Sequence, residues 1–435
     1  MNSRLRLLAL LAVVVLAGCT FGIGDHEPMA PGEPAETDDS PVTLANHTLD
    51  IDGEIVFERM RTLVDEDVAQ PPVRVVTPDD GPDGDGTFAG GPPDMPEAFA
   101  DHLGLSNVSA GAGVPAGFAD AQGFVYLVEG SGSEQVMEQV LVHEYAHSIQ
   151  FRSSMLEWRG AGDGIPTTDA YLTRQSIIEG GAVYVADEYT REYMGDAEIR
   201  PQSAQIADSY ANGTAGDRFL FAPYLFGPVY FETMLDSPAD FRWLHETPPP
   251  TTSHVLHGIH PEERVVQSLS VDVTDSQAWE LRDVDGSDVV GEMATRIALS
   301  GPLDDRTAAS GTTGWAGDRL YAFDHETEGN GFAWALRWND AANATEFVSV
   351  FEGFAEEGVE QSATSVERVD DETVVVFLGP ETFLEAGSAT APSEESETGH
   401  IEIDIGTADQ VTGMGAVSIP PTAGTVGNSG VAVAK

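Results

Sequence analysis

The most chemically suggestive residues in this chain are His143 and His147, in the segment His143-Glu144-Tyr145-Ala146-His147. On a helix, side chains four apart project from one face, about one turn from each other. Two imidazoles placed in this way can grip one tetrahedral metal ion. Zinc suits them, because it takes histidine nitrogen at about 2.0–2.1 Å and does not change redox state. Glu144 lies beside the first ligand and can reach a water on the metal. The ion lowers the pKa of such a water towards about 7, and a neighbouring carboxylate can take its proton before attack on a carbonyl. This is the H-E-x-x-H arrangement.

A catalytic zinc needs a third protein ligand and an open position. Glu179, in Ser176-Ile177-Ile178-Glu179-Gly180-Gly181-Ala182, is the best candidate. A carboxylate among apolar residues needs a partner, and the glycines permit close approach of backbone. Asp187 and Glu188 are weaker rivals. Asp169 or Asp187 could orient a ligating histidine, and nothing in the sequence selects between them. Downstream, Pro248-Pro249-Pro250 can stiffen the loop that carries His254 and His257. Either histidine could donate a hydrogen bond to an oxyanion. Tyr224, in Phe221-Ala222-Pro223-Tyr224-Leu225-Phe226-Gly227, could serve similarly, although an aromatic residue in an apolar helix also reads as core.

These groups need elements to hold them. Met137, Val140, Leu141, Tyr145 and Ile149 predict a helix from Glu134 to about Phe151 with one buried face. Ser133 is a fitting cap, and a strand over 123–129 precedes it. A second long helix is expected over 168–194, broken near Gly180-Gly181. Other helices are expected over 49–64, 219–235, 238–244, 290–299 and 343–356. Strands are expected over 73–77, 320–325, 331–338 and 374–378. Residues 79–96 read as a loop and 286–288 as a turn. The stretch 265–285 is acidic and poorly patterned, and weak order is expected from about Ala386 onward. The fold class is α+β: a small mixed sheet over the active-site helix, a mainly helical lower part, and a small C-terminal α/β segment.

Composition sets the surroundings. The 435 residues include 73 Asp plus Glu against 20 Lys plus Arg, a formal net charge of −53, and the only Lys is Lys435. Such a surface repels a phosphate backbone and excludes nucleic acid as a partner. At low salt the self-repulsion strains the compact state; in molar salt the Debye length falls to roughly 3 Å. The balance resembles that of proteins from extreme halophiles. An apolar share of 41% is nonetheless enough for a proper core.

The N-terminus suggests a compartment. Arg4 and Arg6 precede an apolar run, Leu7 to Ala17, too short to span a membrane. Leu16-Ala17-Gly18-Cys19 resembles a lipoprotein signal in which the Cys becomes lipid-modified. Cys19 is the only Cys, so no internal disulfide can form. Residues 1–18 are then a signal peptide and 19–41 a solvated spacer. The domain that carries His143 and His147 follows over 42–264, with 265–383 as the C-terminal α/β part of the same unit and 384–435 as a weakly ordered tail. Asn-x-Ser/Thr triplets begin at Asn46, Asn107, Asn212 and Asn343 and permit glycosylation.

Four stretches together resemble a family. They are Leu141-Val142-His143-Glu144-Tyr145-Ala146-His147-Ser148-Ile149-Gln150, Ile178-Glu179-Gly180-Gly181-Ala182, Pro249-Pro250-Thr251-Thr252-Ser253-His254-Val255-Leu256-His257 and Gly314-Trp315-Ala316-Gly317-Asp318-Arg319-Leu320-Tyr321. Their order and spacing resemble zincins with a glutamate third ligand, and more narrowly zinc metallopeptidases among bacterial proteins and haloarchaeal surface lipoproteins. The resemblance implies a zincin-like fold, one zinc held by His143, His147 and Glu179, Glu144 as general base, and His257 as the oxyanion donor. Trp315 and Arg319 recur in the pattern; Trp315 reads as packing, and Arg319 binds a substrate carboxylate or pairs with an Asp. The chain departs from the family at Gly181, where an acidic residue is frequent, and at Gly258-Ile259-His260-Pro261, where Pro usually follows directly. The expected activity is cleavage of protein or peptide substrates outside the cell, with the chain anchored in the membrane through Cys19. A catalytically silent zinc-binding surface protein and a zinc hydrolase of a non-peptide amide or ester are the competing readings.

Overall fold

In the computed structural model, the elements that hold the two histidines follow directly from local sequence. The residues described are 16–17, 49, 51–77, 95–109, 115–120, 123–156, 167–195, 199–282, 288–358, 363–392, 399–406 and 417–419. In chain order the first elements are β1 (Leu16–Ala17), α1 (Gly53–Leu63), β2 (Val73–Val76), α2 (Glu97–His102), β3 (Pro115–Ala119), β4 (Val125–Val128), α3 (Glu134–Arg152), α4 (Thr168–Tyr193), α5 (Gln202–Asn212), α6 (Ala215–Met234), α7 (Phe241–Glu246) and α8 (Thr252–His257). There follow β5 (Ser270–Thr274), β6 (Glu280–Leu281), α9 (Gly291–Leu299), α10 (Asp305–Thr312), β7 (Trp315–His325), β8 (Gly329–Trp338), α11 (Ala341–Gly358), β9 (Ala363–Arg368), β10 (Thr373–Gly379), α12 (Glu381–Ala386), β11 (Gly387–Thr390), β12 (His400–Ile405) and β13 (Val417–Ile419). The class is mixed α+β, as expected, and the chain divides into two compact units. The first comprises Met1–Gly90, Val108–Gly164 and Tyr171–Glu263; the second comprises Gly91–Asn107, Ile165–Ala170 and Arg264–Lys435.

The first unit carries a small mixed sheet in the order β1-β3-β4-β2. β2 runs parallel to β4, and β3 runs antiparallel to it. α3 packs on this sheet so closely that a Cβ on Gly117 of β3 would fall 2.7 Å from Val140 and 3.2 Å from Cγ of Glu144. Only glycine lets the strand lie this near the helix. Ser133 caps α3 by accepting from the backbone N–H of Val136 at 3.4 Å. Tyr145 joins α3 to α1: its hydroxyl donates to Gly53 O at 3.1 Å, and its ring meets Phe57 edge-on at 5.0 Å.

α4 is one continuous helix through Gly180 and Gly181, so the break expected there does not occur. The glycines accommodate a neighbour instead. A Cβ on Gly180 would lie 2.4 Å from Cα of Gly227, and one on Gly227 would lie 2.2 Å from Ser176 O. α4 and α6 therefore touch backbone to backbone. α6 opens with a capping box, Thr214 and Asp217 each accepting the other's backbone N–H.

The second unit is built on a six-stranded antiparallel sheet, β13-β9-β10-β8-β7-β6, and a three-stranded sheet, β11-β12-β5. Its core gathers Trp279, Phe323, Phe377, Phe383, Ile401, Ile403 and Ile405. Two expectations are corrected here. The stretch 265–285 holds β5 and β6, and the region after Ala386 holds β11 and β12. β12 reads His400-Ile401-Glu402-Ile403-Asp404-Ile405, whose three isoleucines are buried on one face while the residues between them point outward. Its acidic residues hid this alternation in a Ser-, Glu- and Thr-rich neighbourhood.

Candidate metal centre

His143 and His147 leave α3 on the face turned towards α4, where Glu179 projects back. All three side chains are fully buried. The His143 and His147 Nε2 atoms lie 3.0 Å apart. Glu179 Oε2 lies 3.5 Å from His143 Nε2 and 3.2 Å from His147 Nε2. Ligands on bonds of about 2.05 Å in a tetrahedral set stand about 3.3 Å apart, so the three edges match a single first-row metal ion. Among the described residues this is the one group of His, Cys, Asp and Glu side chains close enough to share an ion.

The hydrogen bonds define which nitrogens are free. Gln150 Nε2 donates to Ile178 O at 2.9 Å, which turns its Oε1 towards His147 Nδ1 at 2.8 Å. An amide oxygen only accepts, so Nδ1 carries the proton and Nε2 the lone pair. His143 Nδ1 likewise faces Gln202 Oε1 at 3.0 Å. Two imidazole lone pairs and a carboxylate oxygen thus converge, an arrangement that is unfavourable unless a cation draws them together. Burial keeps His143 neutral by lowering its pKa.

Glu144 adds a second carboxylate. It is fully buried, and among the described residues neither its oxygens nor those of Glu179 have a hydrogen-bond partner. A buried ion left in this state costs on the order of several kcal/mol. One divalent cation would balance the two carboxylates, and the side chains that hold the two imidazoles, Gln150 and Gln202, are neutral amides. Burial, with a further contribution from Glu179, pushes the Glu144 carboxyl well above the usual range. The donor set therefore fits a divalent metal ion in charge, spacing and protonation.

The other expected residues fall in different places. Tyr224, on α6, is buried with its ring stacked on that of His143 at 6.3 Å between centroids. It also belongs to a small apolar cluster with Val183, Ile206 and Phe221. His257 is exposed at the end of α8 and lies outside the metal cluster. His254 is buried instead, with Nε2 2.9 Å from Glu263 O and Nδ1 2.8 Å from the Thr251 hydroxyl, which makes it a local brace. Asp187 is not a ligand: it accepts the N–H of Gln202 at 2.6 Å and so fixes the start of α5, from which Gln202 reaches His143. Glu188 pairs with Arg191. Asp169 belongs to the second unit, beside Gly291. Trp315 donates to Asp318 at 3.0 Å, and Arg319 donates to Asp318 O at 2.8 Å. Cys19 and Asn46 lie outside the described residues.

Three residues at the site escaped the sequence reading: Gln150, Gln202 and His245. His245 Nε2 stands 3.0 Å from Gln150 Nε2, and its Nδ1 stands 3.0 Å from Phe241 O. Gln150 was detectable in principle, because it follows His147 by three positions on one helical face. Gln202 lies on a helix that the sequence did not reveal.

A family described as a domain of unknown function (DUF8575) matches residues 280–389. That is less than half of the chain and lies within the second unit, whereas His143, His147 and Glu179 belong to the first. No curated protein and no solved structure matches the chain.

Proposed function

We propose that the chain is a zincin-type zinc metallopeptidase that cleaves peptide bonds in protein or peptide substrates. The observation that carries this reading is Glu144, a buried carboxylate with no hydrogen-bond partner among the described residues, placed next to the His143–His147–Glu179 group. The mixed sheet packed against α3, with β3 antiparallel to its neighbour, supports the zincin-type arrangement.

When bound, zinc supplies Lewis acidity to polarise a carbonyl and acidify water. The protein's residues do the rest. His143 and His147 present Nε2 because Gln202 and Gln150 hold their Nδ1 protons. Glu179 contributes one negative charge. Glu144 takes a proton from the attacking water on a carboxylate oxygen and passes it to the departing amine. Tyr224 and His257 are proposed as donors to the oxyanion, with Tyr224 the better placed beside His143. The signal-like N-terminus and Cys19 complete the proposal: a lipid-anchored protein on the outer face of the membrane, working in high salt. No described helix is long and apolar enough to cross a membrane.

One observation favours a second reading. The ligands and Glu144 are all fully buried, whereas catalytic zinc sites keep a position open to substrate. A catalytically silent zinc site accounts for that closure but gives Glu144 no role. The two readings separate in one assay. Wild type and Glu144→Gln are incubated with a peptide library in molar salt, and zinc content is measured in both. Cleavage by wild type, with at least a hundredfold loss in the variant at equal zinc content, supports the peptidase. Stoichiometric zinc with no cleavage by wild type supports the silent site.

A further inference from the structure

We propose that Gln150 is the positioning residue of the metal centre, a single side chain that orients one ligand and anchors the backbone of another, with His245 as its support. The proposal rests on the metal reading above and goes beyond it by assigning work to two residues outside the ligand set. Gln150 makes three contacts, all buried. Oε1 accepts from His147 Nδ1 at 2.8 Å, and Nε2 donates to Ile178 O at 2.9 Å and to His245 Nε2 at 3.0 Å. Ile178 immediately precedes Glu179, so the amide ties α3 and α4 together at the two points that carry ligands.

The directions of these bonds are mutually determined. Ile178 O can only accept, so the nitrogen of the Gln150 amide must face it. The second N–H of that amide then points at His245 Nε2, which must accept. His245 is therefore neutral, with its proton on Nδ1 bonded to Phe241 O at 3.0 Å; burial, which lowers its pKa to about 4, favours the same form. The chain from Phe241 O through His245 and Gln150 to His147 thus has one proton arrangement. That arrangement leaves His147 Nε2 as a lone pair aimed at the ligand cluster before any metal arrives.

The choice of an amide follows from charge and from hydrogen bonding. Glu144 and Glu179 already offset a divalent cation, so a carboxylate at position 150 would leave the buried site with an uncompensated negative charge. It would also place an acceptor against two acceptors, Ile178 O and His245 Nε2. Space is tight as well. A Cβ at Gly181 would fall 3.3 Å from Gln150 Nε2, 2.9 Å from Phe231 and 3.1 Å from Phe241, so glycine there leaves room for the amide.

The test uses the full chain in molar salt. Nitrogen-15 NMR of the metal-free wild type reads the histidine tautomers directly, and the expected result is a neutral His147 protonated on Nδ1. Zinc affinity is then measured by competition with a chromophoric chelator for wild type, Gln150→Leu and Gln150→Glu. Removing an orienting partner typically weakens metal binding roughly 10–100-fold, and Gln150→Leu is expected to fall in that range, with His147 no longer held in the Nδ1–H form. Gln150→Glu keeps an acceptor for His147 but loses the donors to Ile178 O and His245 Nε2 and adds a buried charge, and is expected to bind zinc more weakly than wild type. Should Gln150→Leu not fold, Gln150→Glu and the wild-type tautomer still decide. A wild-type His147 protonated on Nε2, or variants that bind zinc as tightly as wild type, would overturn the proposal while leaving the metal site intact. Failure of wild type to bind zinc at all would overturn the metal reading, and this inference with it.

Discussion

Replacing Gly180 by alanine tests whether the contact between α4 and α6 sets the ligand geometry. The new Cβ would lie 2.4 Å from Cα and 2.7 Å from C of Gly227, both backbone atoms that cannot rotate away. Ordinary contact begins near 3.4 Å, so the helices must part by about 1 Å, a shift costing about 1–3 kcal/mol by overpacking. Helix propensity returns about 1 kcal/mol, leaving a net loss of up to about 2 kcal/mol in the metal-free protein. Glu179 is the adjacent residue, and its oxygen stands only 3.2 and 3.5 Å from the two imidazole nitrogens. A displacement of about 1 Å there should weaken zinc binding at least tenfold. At a zinc concentration 100 times the wild-type dissociation constant, wild type gains about 2.7 kcal/mol from binding, and a variant weakened tenfold gains only about 1.4 kcal/mol. Denaturant titrations with and without zinc, in molar salt, measure both terms. Gly353→Ala on α11 is the control, because nothing lies within 4 Å of its Cβ position; it should be neutral or slightly stabilising. A Gly180→Ala protein as stable as wild type, with the same gain from zinc, would refute the close-contact reasoning.

Two further perturbations address the rest of the chain. Burial pushes the Asp318 carboxyl up to about 6 from an ordinary value of 3.8, against hydrogen bonds from Gly291 and Val290 that act the other way. Between those pH values the folded chain holds a proton that the unfolded chain has released, so this group's contribution is greatest below pH 4 and is lost as pH rises through 6. The shift amounts to about 3 kcal/mol. Asp318→Asn should remove that component, visible as a difference between the two stability–pH curves from pH 4 to 7; parallel curves would contradict it. The net charge of −53 predicts loss of structure on dilution from molar salt. Circular dichroism should show it, and equal stability at low and high salt would rule out self-repulsion as the limiting term.

How legible the site was in the sequence depended on whether a residue's role is local. His143, Glu144 and His147 declared themselves by spacing on one helix, and Glu179 by its apolar neighbours and adjacent glycines. The cap at Ser133 and the buried face that includes Tyr145 were similarly readable, because the first depends on the adjoining turn and the second on the apolar spacing along α3. In the sequence Gly180-Gly181 reads as a break because glycine weakens a helix in isolation. The backbone of Gly227 is what requires glycine at 180, and that partner is 47 residues away. Gln202 and His245 were illegible for the same reason: their importance comes from tertiary contact with His143 and Gln150, not from local pattern. Strand β12 was missed for a different cause, since its exposed acidic positions mask an alternating apolar face.

In the proposed site, His143, His147 and Glu179 hold one divalent metal ion. Elemental analysis of the protein purified in molar salt without added metal tests it most directly, alongside His147→Asn and Glu179→Gln. One zinc per wild-type chain is expected, and less than about a tenth of that in either variant, with the folded spectrum retained in at least one of them. A wild-type protein without metal that takes up none on incubation with zinc, or a variant that keeps its full complement, would contradict the account.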